Sequence, residues 1–221
     1  MRSIDLARLL ARLCAVSFCF LVHQAHAQCA ARDVAKNPRF LDDPAWLQTP
    51  NVIRSADIPV WKTIRVGTAQ NKWALYRALD AAHCELGETA ESMFAQPAFS
   101  VSPDKIDTDL VSVSLAQLGL AHASLQDLYA RARTLGFALA PAEVGPQLRL
   151  QYFEQPLGEY LNIAMPPIET SDGKPKIFVV VNGGAGLQLI GTDVGAAEFH
   201  DQARFVFVRR RSIASTQDGA P

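Results

Sequence analysis

The chain has 221 residues, 49% of them hydrophobic and 19% charged, with a formal net charge of −1 at pH 7. That length suits one domain with terminal extensions, and a near-neutral balance gives no general reason to bind nucleic acid or an anionic membrane surface. Four cysteines are too few for a disulfide-dense miniprotein.

The first residues read as a removable leader. Arg2, Arg8 and Arg12 face one acid, Asp5, and an apolar run from Leu13 to Val22 follows, ending near Ala25-His26-Ala27. A basic n-region, a short h-region and an A-x-A site are the layout of a secretory signal peptide. A run of ten residues falls well short of the ~20 that a membrane-spanning helix needs. The spacing predicts cleavage after Ala27, and export to the periplasm or the medium. Without the leader, Lys+Arg falls from 21 to 18 and Asp+Glu from 22 to 21, a net charge of about −3. Cys14 and Cys19 leave with it. Cys29 and Cys84 then remain, and in an oxidising compartment the pair predicts one disulfide; two unpaired thiols are the alternative.

Residues 28–56 are irregular, with Pro38, Pro44 and Pro50, and read as an N-terminal arm anchored by Phe40, Trp46 and Leu47. A single domain is predicted over 57–211, and a disordered tail over 212–221. Within the domain, "PVWKTIRVGT" alternates as a first strand. "NKWALYRALDAAH" follows with Trp73, Leu75, Tyr76 and Leu79 at helical spacing, and Thr68 placed to cap it. A shorter helical piece spans about Glu88–Ala95 and stops before Pro97. "DTDLVSVSLAQLGL" alternates Val111, Val113 and Leu115 against Ser112 and Ser114, which predicts a strand with one face in solvent. "SLQDLYARARTLG" is the clearest helix: Ser124 caps it, Asp127 sits at the reciprocal position and Gly136 ends it.

After Gly136 the pattern shortens. Leu148, Leu150 and Tyr152 alternate with Gln147, Arg149 and Gln151; Leu161, Ile163 and Met165 follow, then "KIFVVV", "LQLIG" and "RFVFVRR". "NGGAG", Asn182 to Gly186, marks a hairpin, and short connections make neighbouring strands antiparallel. The expected fold is α+β: two main helices with one or two strands, followed by an antiparallel meander of about five strands.

For chemistry, absences narrow the field. The sequence holds no G-x-S-x-G elbow, H-E-x-x-H, P-loop or G-x-G-x-x-G, so no cofactor is expected. Asp193, Glu198, His200 and Asp201 share one stretch, but their spacing matches no ligand motif; no metal site is predicted, and a solvent-facing loop explains them.

The densest stretch is "PAEVGPQLRLQYFEQPLGEY", which sets Glu143, Arg149, Gln155 and Glu159 among apolar residues. On a strand reading, Arg149 lies across a hairpin from Glu159. A planar guanidinium fork suits a carboxylate. It either clamps an internal Glu or waits for a ligand's carboxylate or phosphate. Glu143 and Glu159 form a third option, an acid/base pair of the kind glycosidases use.

"VWKTIRVGT", "LGFALAPAEVGPQLRLQYFEQPLGEYLNIAMPPI" and "RFVFVRR" resemble blocks of a widespread bacterial protein family, over about Val60 to Arg210. That family brings no established activity or ligand. A cysteine often stands there where this chain has Ala140, so thiol chemistry at that position does not transfer. The expectation is an exported, soluble binding module for a small polar ligand, a glycan or an extracytoplasmic protein partner. Two other classes remain open: a cell-envelope hydrolase using Glu143 or Glu159 as general acid or base, and an inhibitor or immunity-type partner of a secreted protein.

Overall fold

The computed structural model describes Cys29 and residues 54–209. The predicted leader, most of the N-terminal arm with its three anchors, and the tail lie outside the described residues. Among those described, four α-helices accompany ten strands. In chain order they are β1 (Lys62–Val66), α1 (Lys72–Ala81), β2 (Glu85–Leu86), α2 (Glu88–Ala95), β3 (Ile106–Ser114), β4 (His122–Ser124), α3 (Leu125–Thr134), α4 (Val144–Gln151), β5 (Tyr160–Ile163), β6 (Ile168–Glu169), β7 (Pro175–Asn182), β8 (Leu187–Asp193), β9 (Glu198–His200) and β10 (Arg204–Val208).

The architecture is α+β, with one mostly antiparallel sheet in the order β1-β3-β10-β5-β7-β8-β2, β6 beside β7, and a separate β4–β9 ribbon. The chain's later strands are not a simple meander. The β7–β8 hairpin closes at Asn182–Leu187 as "NGGAG" predicts, but β10 inserts between β3 and β5 and runs parallel to β5, Arg204 opposite Leu161 and Val206 opposite Ile163. Strand order between distant segments has no local signal in the sequence.

The largest correction is α4. Residues 147–151, read above as strand, are helical. Val144 through Arg149 are all buried, so no polar face marks the helical period. Pro146 sits in the first turn, where its missing N–H costs nothing. Gly145 lets this helix lie against β7: a Cβ there would stand 2.8 Å from the Phe178 Cβ.

Smaller differences have equally local causes. Asn71, not Thr68, caps α1, its side chain accepting from the Ala74 N–H; Thr68 instead bonds Gln147. Trp73 is exposed while Leu75 and Leu79 are buried. β3 is covered on both faces from Leu110 to Val113, so Ser112 is buried rather than in solvent. The α3 caps agree with the reading: Ser124 accepts from the Asp127 N–H and Gly136 takes a φ of 85°.

The core continues through both faces of the sheet. Where α2 meets β7, Phe94 and Phe99 both meet Phe178 edge to face and pack on each other at a tilt. Phe137, Phe199, Phe205 and Phe207 cluster on the opposite face. Cys29 is disulfide-bonded to Cys84 with Cα atoms 4.7 Å apart, and its carbonyl accepts from the Leu187 N–H. The bridge thus ties residue 29 to both the end of α1 and the start of β8. Among the described residues no helix is long and apolar enough to cross a membrane.

Candidate functional site

The four residues singled out from the sequence separate into two groups. Glu143, just before α4, is 1% exposed. Its Oε1 accepts from the Gly67 N–H at 2.7 Å and the Gln147 amide at 3.0 Å, and its Oε2 from the Ser102 N–H at 2.6 Å. One carboxylate therefore binds the β1–α1 turn and the loop before β3 to the start of α4. Charge-assisted bonds to backbone amides are the stronger kind.

Arg149 is fully buried. Its guanidinium donates to the Gln155 Oε1, to the Tyr152 carbonyl and, at 3.5 Å, to the Val181 carbonyl. Burial pulls its pKa down to about 10, opposed by Tyr152, Glu154 and Glu159, and it remains a cation at neutral pH. Gln155 returns two bonds from its amide, to the carbonyls of Glu159 and Val180, while the Asn182 side chain donates to the Gln155 carbonyl. The fork meets carbonyl oxygens rather than a carboxylate. It closes the chain between α4 and β5 onto β7.

Glu159 differs. Its Oε2 accepts from the Tyr152 hydroxyl at 2.9 Å, and its Oε1 stands 3.7 Å from an Arg204 nitrogen. Burial raises its carboxyl above the usual range, against the opposing pull of Tyr152, Arg204, Gln155 and Arg149. Glu159 also lines a cleft of about 510 Å³. This lies where β5 and β10 begin side by side. Tyr160 and Asn162 of β5, Val179 of β7, and Ile190 and Thr192 of β8 share one sheet face by register and alternation. Phe199, Gln202 and Ala203 wall it, and Arg204 completes it.

Of these residues only Glu159 was singled out from the sequence. Tyr160 is 53% exposed, an aromatic on an open sheet face, and Arg204 is partly exposed at the cleft. The alternation of "YLN" was visible, but nothing local places Arg204 beside it. Glu143 and Arg149 do not line this cleft. The histidines also gain a context: His122 and His200 pair across the β4–β9 ribbon, whose Phe199 packs on Phe205.

The arrangement is chemically mixed. It offers one buried carboxyl, one guanidinium, two carboxamides and two aromatic rings above an aliphatic floor. Ligand pockets commonly combine apolar walls with a few placed polar groups. Among the described residues no group of three or more His, Cys, Asp and Glu converges as a metal site. Neither a family model, nor a curated protein, nor a solved structure matches this chain.

Proposed function

We propose that this chain is an exported binding module that takes a small polar ligand in the cleft over β5, β7 and β8. The observation that carries the reading is the convergence of Tyr160, Asn162, Gln202 and Arg204 on a cavity of about 510 Å³, a size within the range of small-molecule sites. Of the three occupants open from the sequence, a small molecule fits a cavity of this kind better than a broad partner surface. Arg204 is the anchor for an acidic or carbonyl group. Asn162 and Gln202 supply donors and acceptors, and Val179, Ile190 and Phe199 cover an apolar face. Export is supported by the leader pattern of residues 1–27 and by the Cys29–Cys84 bond, since such bonds persist in oxidising compartments.

A second reading, the envelope hydrolase, is favoured by Glu159 alone. Burial raises its carboxyl above the ordinary value, the direction that suits a general acid. Glu143 does not line the cleft, so the pair of carboxylates that a glycosidase uses lacks its second member there.

The test is a titration of isotope-labelled protein, followed by amide chemical shifts, with a panel of short carboxylic acids, amino acids and monosaccharides. Binding predicts saturable shifts on β5, β8 and the 199–204 segment that vanish in Arg204→Ala. Turnover of envelope glycan or peptide, abolished by Glu159→Gln, would replace the binding reading with the hydrolase.

A further inference from the structure

The β4–β9 ribbon holds a pair of histidines that the cleft does not use. His122 and His200 are direct cross-strand partners, so their side chains leave the same face of the ribbon. Both are exposed. Their Nδ1 atoms stand 2.9 Å apart, with the rings nearly perpendicular.

At that distance one Nδ1–H donates and the other Nδ1 accepts, which requires a neutral accepting ring. The two nitrogens are also spaced as neighbouring ligands on one ion. With metal–nitrogen bonds of ~2.0–2.1 Å, adjacent ligand atoms lie roughly 2.9 Å apart in a tetragonal site and about 3.3 Å apart in a tetrahedral one. Imidazole suits zinc, copper and nickel. The backbone ladder fixes the separation of the two Cα atoms, so a chelating pair loses little freedom on binding.

We infer that His122 and His200 form a two-imidazole chelate for a divalent transition ion, copper or nickel in preference to zinc because of the short spacing. One ring carries its proton on Nδ1 before binding. It transfers that proton through solvent to its own Nε2, so both Nδ1 lone pairs then face the ion and both rings stay neutral. Water fills the remaining positions, since no third protein ligand of the usual types converges there among the described residues. The ion pins β9, and with it Phe199, which walls the cleft. The site was not legible in sequence because its halves lie 78 positions apart.

The test uses the full chain without an affinity tag, titrated with Cu²⁺ and separately with Ni²⁺, following visible absorption and the melting temperature. His122→Gln, His200→Gln and His83→Gln are compared, with circular dichroism to verify folding. The chelate predicts that wild type takes up one equivalent and melts higher with the ion. Both ribbon variants lose that equivalent and the shift, and His83→Gln keeps them. Folded His122→Gln or His200→Gln protein that still binds one equivalent like wild type would overturn the assignment, as would wild type that shows no saturable uptake.

Discussion

The Arg149 guanidinium donates to the Gln155 side-chain oxygen inside the protein, and the Gln155 amide passes the connection on to the carbonyls of Glu159 and Val180. A cation and a carboxamide together serve the backbone of the segment that leads from α4 into β5. This chain of bonds sets where β5 begins, and so where Glu159 and Tyr160 meet the cleft.

Truncating Arg149 therefore acts on stability. Arg149→Ala leaves the Gln155 oxygen and the Tyr152 carbonyl without their donor, and an unsatisfied buried group costs about 1–3 kcal/mol. Two of them predict a loss of about 3 kcal/mol, read from the urea midpoint at an unchanged m-value. Arg149→Lys recovers only part of it, because an ammonium lacks the planar fork.

Glu143 and Gly67 form one joint. Gly67 has a φ of 69°, and a Cβ there would fall 1.9 Å from the Asp104 carbonyl oxygen. Gly67→Ala predicts a loss of at least about 2 kcal/mol, from the left-handed backbone and the clash together. Glu143→Gln keeps the shape but turns an amide nitrogen toward one of the two backbone N–H donors, for a predicted loss of about 1–3 kcal/mol. Thermal melts of both variants check this. Neither change is expected to alter ligand shifts in protein that remains folded.

Two carboxyls give opposite pH signatures. The Glu159 carboxyl titrates above its ordinary value of 4.5, chiefly through burial. Between the unfolded and folded values the native chain holds more protons, so its contribution falls as pH rises through that window. Glu159→Gln removes this slope. The variant gains on wild type from about pH 4 upward and then levels off above the folded value. Asp172 is held well below its ordinary value of 3.8, first by Lys176 and then by Thr170. Its stabilisation is present above that value and is lost as pH falls through the folded one. Asp172→Asn therefore melts below wild type at pH 7, and the gap closes in acid. Melts of both variants from pH 2 to 8 separate the two cases.

The Cys29–Cys84 bond closes a separation of 55 residues. Loops of this size predict a stabilisation of about 2–4 kcal/mol. Urea midpoints with and without reductant, against a Cys29→Ser, Cys84→Ser variant, measure it. The reductant should shift wild type alone.

How much of this was written in the sequence depends on range. The caps of α3 and the β7–β8 hairpin rest on neighbours within a few residues, and Ser124, Gly136 and Asn182–Gly186 marked them. The disulfide was legible from the count of remaining cysteines. α4 was missed because Leu148, Leu150 and Tyr152 alternate as a strand does, while burial on all sides of residues 144–149 removed the polar stripe that marks a helix. The candidate cluster was half legible for a similar reason. Buried polar residues at Glu143 and Arg149 stood out chemically, but beside Gln147 and Gln155 their partners are backbone groups at Gly67, Ser102, Tyr152 and Val181, which carry no side-chain signature. Arg204 and the histidine pair depend on strand neighbours far away in the chain.

The measurement that bears most directly on the division between scaffold and cleft is a pair of urea melts, Arg149→Ala beside Arg204→Ala. Arg149 is fully buried and bonded to the backbone, whereas Arg204 is partly exposed and stands 3.7 Å from Glu159. We expect a loss of about 3 kcal/mol at Arg149 and a smaller one, within about 1 kcal/mol, at Arg204. Equal losses at both, or a larger one at Arg204, would make Arg204 part of the scaffold and contradict its assignment as the ligand anchor.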